Sequence, residues 1–182
     1  MRLVATEYVS LDGVFEEPGH WSGPYFDDDA MHFKADELAA ADGQLLGRKT
    51  YEGFAKAWPT MEGTGDFGVK MNTMPKYVVS STLKNPTWTN TTVLTGDVAT
   101  AVRDLKKKPG RDLLLAGSGQ LFNALLRDEL IDVVRLMVHP VVLGKGPRLF
   151  ADGAPRRGLE LVEVKRFGKG IVAVEYVPAK SG

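Results

Sequence analysis

The chain has 182 residues, of which 43% are hydrophobic and 25% are charged, a composition typical of one soluble globular domain. Lys plus Arg and Asp plus Glu number 23 each, so the bulk electrostatic field favours neither nucleic acid nor an anionic membrane as a partner. The absence of cysteine excludes disulfides, thiolate zinc sites and thiol nucleophiles. The N-terminal segment carries Glu7 and has no cleavage site of small residues, so we expect no signal peptide and a single cytoplasmic domain over residues 1–182.

The N-terminal part predicts a strand, a long loop and a helix. Residues 2–9 have the apolar composition of a strand, which the turn at Asp12-Gly13 closes. Residues 14–26 are rich in glycine, proline and aromatic side chains, so we expect an irregular loop that changes order when a ligand binds. The acidic triplet 27–29 then begins a helix that reaches about Ala41, because acids favour helix N-termini.

The middle of the chain alternates short strands with helices. Strands are predicted at residues 44–46, 76–81, 92–95 and 112–116, and helices at residues 48–58, 97–108 and 120–130. Residues 60–74 are polar and rich in glycine, and no helix or strand is assigned to them.

The last third of the chain predicts strands only. The continuous apolar character of residues 132–144 is typical of a strand buried on both faces. Residues 159–167 and 171–177 alternate in polarity around a Gly-Lys-Gly turn, which is the pattern of a hairpin. This order of elements predicts an α/β fold with one mixed, mainly parallel sheet that ends in an antiparallel hairpin and carries helices on both faces.

Two strand–helix junctions have the composition of phosphate-binding turns. The first is Gly47-Arg48-Lys49-Thr50, where glycine permits close approach of a ligand and three side chains add donors. The second is Gly117-Ser118-Gly119-Gln120, where two glycines flank a hydroxyl group at a helix start. Either motif alone is also typical of an ordinary tight turn. Together with Ser80-Ser81-Thr82, which ends a strand between them, they predict a site for a phosphorylated, elongated ligand.

Other motifs that carry chemistry are incomplete. Phe122 stands where a dinucleotide-binding fingerprint would have its third glycine, and no Gly-Lys-Ser/Thr triplet marks a Walker-type loop. Ala116 interrupts a Gly-x-Ser-x-Gly elbow around Ser118, so nucleophilic hydrolysis is not predicted. The three histidines share no ligand spacing, so no metal site is predicted from His20, His32 and His139.

The order of these motifs resembles the dihydrofolate reductase-like superfamily. The motifs are SLDG (10–13), LLGRKTYE (45–52), YVVSSTL (77–83), LLLAGSGQLFNALL (113–126) and HPVVLGKGPRLF (139–150). Within the superfamily the chain is most similar to the branch that holds the C-terminal reductase domain of bacterial riboflavin biosynthesis and its stand-alone relatives. The resemblance covers about residues 2–177 and implies a three-layer α/β/α fold with an eight-stranded sheet. It also implies that NADPH lies across the carboxyl ends of the strands.

The resemblance assigns cofactor roles to three groups of residues. The helix start that takes cofactor phosphates is matched by Gly47, Arg48, Lys49 and Thr50. The strand end near the adenosine 2′-phosphate is matched by Ser80, Ser81 and Thr82. The turn and helix around the pyrophosphate and the nicotinamide ribose are matched by Gly117, Ser118, Gly119, Gln120 and Leu121. The loop that follows SLDG matches the lid over the nicotinamide.

The implied reaction is hydride transfer from NADPH to a C=N or C=O group of a small heterocyclic or sugar-derived substrate. Polarisation of the substrate or delivery of a proton is expected from Asp12, from Asp29 or from an ordered water. The family's folate-binding arginine has no counterpart in residues 53–75, which disfavours a folate substrate. Reduction of 5-amino-6-(5-phosphoribosylamino)uracil in the riboflavin pathway therefore ranks first. Dihydrofolate reduction and a non-catalytic nucleotide-binding module are the alternatives.

A homodimer is also expected. The stretch Val138–Leu143 and the terminal hairpin are too apolar for an exposed sheet edge, and relatives in the riboflavin branch are similarly expected to be dimers.

Overall fold

The computed structural model describes residues 1–154 and 156–179, which form one eight-stranded sheet and its helices. The strands are β1 (Arg2–Ser10), β2 (Ala41–Gly47), β3 (Lys76–Val79), β4 (Thr91–Leu94), β5 (Asp112–Leu115), β6 (Val133–His139), β7 (Leu159–Arg166) and β8 (Val172–Pro178). The α-helices are α1 (Asp28–Ala40), α2 (Arg48–Ala57), α3 (Gly65–Thr73), α4 (Val98–Lys107) and α5 (Gly119–Arg127). Short 3-10 turns lie at Pro18–His20, Gly23–Tyr25 and Trp58–Thr60. None of the helices in these residues is long and apolar enough to cross a membrane.

The order of the strands across the sheet is β4-β3-β2-β5-β1-β6-β8-β7. The first six strands are parallel, with pairs such as Gly47 with Val79 and Glu7 with Leu136. Strand β8 runs antiparallel to β6, and β7 runs antiparallel to β8. The predicted mixed, mostly parallel sheet with a terminal antiparallel hairpin is confirmed.

Each face of the sheet is covered by its own set of helices. On one face, Leu3 of β1 shares a hydrophobic cluster with Leu105 of α4 and Phe122 of α5. On the other face, Val4 shares a cluster with Leu38 of α1 and with side chains of α2 and α3. Because successive side chains of a strand point to opposite faces, the two clusters form separate layers. This is the three-layer arrangement that the sequence predicts.

Acidic side chains begin two of the helices, as expected. The Asp27 carboxylate accepts a hydrogen bond from the backbone N–H of Ala30 at 2.8 Å, and Asp97 accepts one from Thr100 at 2.7 Å. Each bond satisfies one of the N–H groups that a helix N-terminus leaves free.

The segment 60–74, to which the sequence assigned no element, contains α3. Met71 of this helix is only 3% exposed, and Gln44 of β2 donates a hydrogen bond to its sulfur at 3.0 Å. At the other end, the Lys76 ammonium donates to the carbonyl oxygen of Asn72 at 2.8 Å. The segment has few apolar residues, so its helical period is weak. The helix was missed because it is stabilised by packing on the sheet, which sequence periodicity does not show.

The strand predicted at residues 132–144 ends earlier, at His139. Pro140 follows, and it has no backbone N–H to continue the pairing of a sheet. The backbone N–H groups of Leu143 and Gly144 donate instead to the Asp12 carboxylate, at 3.1 and 2.8 Å. The chain after β6 therefore bends back over the end of β1.

Candidate active site

The carboxyl ends of β1 and β5 form a topological switch point in the sheet. Strand β1 leads to α1 on one face, whereas β5 leads to α5 on the other. Because the chain leaves these neighbouring strands in opposite directions, a crevice opens between their ends, and open α/β sheets bind ligands at such crevices. Strand β2 ends on the other side of β5, at Gly47.

The two glycine junctions predicted from the sequence contact each other at this edge. The backbone N–H of Gly47 donates to the carbonyl oxygen of Gly117 at 3.0 Å. A Cβ atom on Gly47 would lie 2.5 Å from the Ser118 hydroxyl oxygen, and one on Gly117 would lie 2.9 Å from the Thr50 hydroxyl oxygen. Gly117 also has a φ of +78°, which glycine adopts without strain. We call residues 47–50 and 117–121 the glycine cradle.

Two helices begin in the glycine cradle. Helix α2 starts after Gly47 and α5 starts after Ser118, and neither start has a side-chain cap. The N–H groups of both first turns are therefore without a capping side chain, and they carry the positive end of each helix dipole. This arrangement suits a ligand with two linked phosphate groups.

The side chains of the glycine cradle differ in exposure. Arg48 is exposed and pairs with Glu52 one turn later, at 2.8 Å, while Lys49 and Gln120 are exposed. Leu121 is only 6% exposed and belongs to the core beneath α5. The exposed cations are the groups that a further phosphate could reach from solvent.

Strand β3 brings the predicted serine–threonine segment to the same edge. The hydroxyl oxygen of Ser80 accepts hydrogen bonds from the backbone N–H groups of Thr82 at 3.1 Å and Leu83 at 2.9 Å. Ser80 is buried by this turn, whereas Ser81 and Thr82 are exposed. The hydroxyl of Ser80 therefore shapes the turn, and the other two hydroxyls remain accessible.

Asp12 is tied into the fold by three hydrogen bonds. Its carboxylate accepts from the Ser10 hydroxyl at 2.7 Å and from the backbone N–H groups of Leu143 and Gly144. These bonds, the Ser10 bond first, lower the pKa of Asp12 to about 2. A carboxyl group with that pKa is a poor proton donor at neutral pH, so the geometry favours a structural role. Asp29, the other predicted acid, is exposed in the first turn of α1.

Glu7 is a carboxyl group of this site that sequence reasoning missed. It lies on β1, is only 8% exposed, and accepts a hydrogen bond from the backbone N–H of Gly117 at 2.7 Å. Burial raises the pKa of Glu7 to about 8, although the Gly117 bond and the charge of Lys34 oppose this shift. The signal in the sequence was an acid within an apolar strand, which we used only as evidence against a signal peptide.

Aromatic rings from the loop cover the other side of the switch point. His139, at the end of β6, is fully buried. Four ring centroids lie around its imidazole, those of Trp21 at 5.2 Å, Tyr8 at 5.4 Å, Phe26 at 5.7 Å and Tyr25 at 6.2 Å. We call these five residues the aromatic cluster. It fixes residues 14–26 against β1 and β6.

A cavity of about 310 Å³ opens beside the ends of β1 and β6. Its lining includes Asp12, Val14 and Phe150 together with the basic residues Lys145 and Arg148. The lining holds these two cations and two carboxylates, and the cations suit a small ligand with an acidic group.

Residues 2–173 match the model of the RibD C-terminal domain family. The Bacillus subtilis protein YyaP, described as uncharacterized, is 32% identical over 179 residues, which cover 96% of this chain and 94% of YyaP. A Shewanella sp. PV-4 protein named for riboflavin biosynthesis has a similar structure, with a TM-score of 0.79 at 18% identity, over 99% of this chain and 100% of that one. Dihydrofolate reductase from Enterococcus faecalis, complexed with NADP(H), gives a TM-score of 0.66 at 17% identity, over 98% and 97% of the two chains. The dihydrofolate reductase-like fold expected from the sequence is confirmed.

Proposed function

The chain belongs to the RibD C-terminal domain family, and on this premise we propose that it is a reductase that uses NADPH to reduce a small heterocyclic or sugar-derived substrate. The observation that carries the proposal is the glycine cradle, in which two helix N-termini begin beside each other at the switch point of the sheet. Backbone N–H groups at two adjacent helix starts suit the two phosphates of a dinucleotide.

Three groups of residues would hold the cofactor. The pyrophosphate would lie against the backbone of Gly47 and of the turn at 117–119. The adenosine 2′-phosphate would be read by Arg48 and Lys49, with neutral donors from Ser81 and Thr82. When bound, NADPH supplies the hydride, while the protein binds, orients and excludes water. The NADP(H) complex of the structurally similar dihydrofolate reductase supports this choice of cofactor.

The substrate would bind between the aromatic cluster and the cavity beside Asp12. The loop at residues 14–26 would exclude water from the reacting groups, and its rings offer faces for a planar heterocycle. Lys145 and Arg148 would bind an acidic group such as a phosphate. The proton that accompanies hydride transfer would come from Asp29 or from an ordered water, because the lowered pKa of Asp12 disfavours this carboxyl group as a donor.

Reduction of 5-amino-6-(5-phosphoribosylamino)uracil remains the specific reaction that we rank first. The planar ring of this substrate suits the aromatic cluster, and its phosphate suits the two cations that line the cavity. Dihydrofolate reduction is disfavoured because residues 53–75 contain no arginine. A nucleotide-binding module without catalysis is the third candidate.

The test is a titration of NADPH and NADH, followed by NADPH oxidation assays. We expect NADPH to bind more tightly than NADH, and oxidation to appear with the ribosylaminopyrimidine phosphate and not with dihydrofolate. Tight NADPH binding without oxidation of any candidate would favour the non-catalytic module. Failure of the wild-type protein to bind either nucleotide would contradict the proposal.

We also propose that the protein is a homodimer that pairs through its terminal hairpin. Strand β7 is at the edge of the sheet, and its apolar residues Leu161, Val162 and Val164 are each more than half exposed. Light scattering at tens of micromolar is expected to give the mass of a dimer, and Val164→Lys is expected to weaken it. A monomer in the wild-type protein would contradict this assembly.

A further inference from the structure

A buried carboxyl group lies directly against the turn of the glycine cradle. Pairing of β5 with β1 ends at Leu115 and Ala5, whereas pairing of β1 with β6 continues through Glu7. The chain after β5 therefore leaves the sheet beside Glu7, and Glu7 Oε1 accepts the backbone N–H of Gly117 at 2.7 Å. Glu7 links the central strand to the turn from which α5 begins.

The surroundings of Glu7 keep its carboxyl group uncharged. Lys34 and Glu37 of α1 act on its pKa in opposite directions, and no cation forms an ion pair with Glu7 within the described ranges of the chain. The first residues of α5, 119–123, carry no charged side chain. On β6, Arg135 is held in ion pairs with Glu37 and Glu175, and His139, whose pKa is lowered by burial, pairs with β1 three positions beyond Glu7. A buried carboxyl group without a counter-ion is more stable in its protonated form.

The position of Glu7 gives its charge a direct effect on the glycine cradle. The N–H groups at the start of α5 lie on the turn that Glu7 holds, and an anion bound there would lie close to the Glu7 carboxyl group. Two negative charges in a site of low dielectric repel each other strongly. A protonated Glu7 avoids this repulsion and still accepts the Gly117 N–H through its carbonyl oxygen.

We propose that Glu7 is a positioning residue for the cofactor turn, and that its carboxyl group must be neutral for the glycine cradle to accept the cofactor pyrophosphate. This inference rests on the proposed use of NADPH. Cofactor binding and protonation of Glu7 are then linked, since each favours the other.

The linkage predicts a particular pH profile for NADPH affinity. Because the pKa of Glu7 in the free protein is about 8, most molecules at neutral pH already carry the protonated Glu7 that NADPH binding requires. Above that pH, each molecule must take up a proton to bind, so affinity should fall by up to about tenfold per pH unit. The 2′-phosphate of NADPH titrates near pH 6, which is below this range.

The experiment measures the NADPH dissociation constant by fluorescence titration from about pH 6.5 to 9.5 in four proteins. Wild type should lose affinity above about pH 8, whereas Glu7→Gln, a neutral isostere, should bind with a flat profile. Glu7→Leu cannot accept the Gly117 N–H and should bind more weakly at every pH. Asp132→Asn is the matched control, because Asp132 also accepts a β1 backbone N–H, that of Leu3 at 2.7 Å, but precedes β6 at the opposite edge of the sheet.

The outcomes separate this inference from the proposed function. Two results would overturn the proposed role of Glu7 and leave the proposed function intact. One is a wild type whose NADPH affinity does not change with pH, and the other is a Glu7→Gln variant whose affinity keeps the wild-type pH dependence. Equal affinity of Glu7→Leu and wild type at pH 7 would do the same, provided that both melt as folded proteins. Absence of NADPH binding to the wild type at any pH would overturn the proposed function and the inference together.

Discussion

The carboxyl edge of the sheet has two halves that are built by different means. In the glycine cradle, Gly47 and Gly117 join two strand–helix junctions through backbone contacts, and the missing Cβ atoms allow the close approach. In the aromatic cluster, large side chains fill the space around His139 and hold the loop at residues 14–26. One half depends on the absence of side chains and the other on their presence.

The two halves therefore differ in how far each can discriminate between ligands. A site made of backbone N–H groups recognises phosphate and reads little else of a molecule. A site made of aromatic and charged side chains changes shape with each substitution, so it can discriminate between substrates. We therefore expect a single substitution in the glycine cradle to cause a large loss of cofactor affinity. Substitutions in the aromatic cluster should instead change the packing of the loop by smaller amounts.

The largest effect is expected for Gly47→Ala in the glycine cradle. The new Cβ atom would meet the Ser118 hydroxyl at 2.5 Å and separate the two junctions, so NADPH affinity should fall by about a hundredfold or more. The control is Gly53→Ala on α2, where no heavy atom lies within 4 Å, and there stability should rise by about 0.5–1 kcal/mol. Isothermal titration calorimetry measures the NADPH affinity of each variant, and thermal melting measures its stability. Unchanged NADPH affinity in Gly47→Ala would show that the junctions are ordinary turns.

The next effect is expected for the double variant Arg48→Ala, Lys49→Ala. A lost charge-assisted hydrogen bond costs about 1.5–3 kcal/mol, so NADPH should bind about tenfold to a hundredfold more weakly while NADH barely changes. The control removes two exposed cations at helix C-termini, with Lys56→Ala and Lys107→Ala. The measurement is a titration of each protein with both nucleotides. An equal loss of affinity for NADPH and NADH in the double variant would show that Arg48 and Lys49 do not bind the 2′-phosphate.

A smaller, pH-dependent effect is expected in the aromatic cluster. Burial lowers the pKa of His139 below its usual value of about 6.5, so His139 takes up a proton more readily when the loop is unpacked than when it is packed. Packing of the loop is therefore complete above pH 6.5 and weakens as pH falls through the folded pKa. Limited proteolysis within residues 14–26 should become several-fold faster between about pH 7 and pH 5.

His139→Phe should abolish this pH dependence, since phenylalanine keeps the ring but cannot take up a proton. His20 and His32 are exposed, so the double variant His20→Gln, His32→Gln should behave as wild type. Cleavage rates are corrected with a peptide substrate for the protease's own pH dependence. A pH dependence that survives in His139→Phe would assign the effect to another group.

The smallest effect is expected for Asp12→Asn, at the boundary between the two halves. An amide cannot accept all three hydrogen bonds that the Asp12 carboxylate accepts, so the melting temperature should fall by a few degrees. Turnover per folded molecule should stay near that of wild type. A normal melting temperature with reduced turnover would restore the proton-delivery role predicted from the sequence. Asp29→Asn is the parallel test, because a loss of turnover there alone would assign the proton to Asp29.

Local patterns in the sequence were enough to predict the elements whose signals span only a few residues. The Asp27 and Asp97 caps set two helix starts, glycine set the strand–helix turns, and alternating polarity set the terminal hairpin, because each signal acts within a few residues. The order of these elements was enough to predict a mixed sheet with three layers. The glycine motifs and the family resemblance named the residues of the glycine cradle.

Which of these residues meet, and what charge they carry, depends on tertiary packing. Gly47 and Gly117 lie far apart in the sequence, and their contact depends on β2 and β5 being neighbours in the sheet. Helix α3 forms because the sheet covers it, and Asp12 is held by a segment that follows β6. Glu7 has a raised pKa because both faces of β1 are buried. Contacts and burial of this kind depend on the packed arrangement of distant segments, which local sequence patterns do not encode.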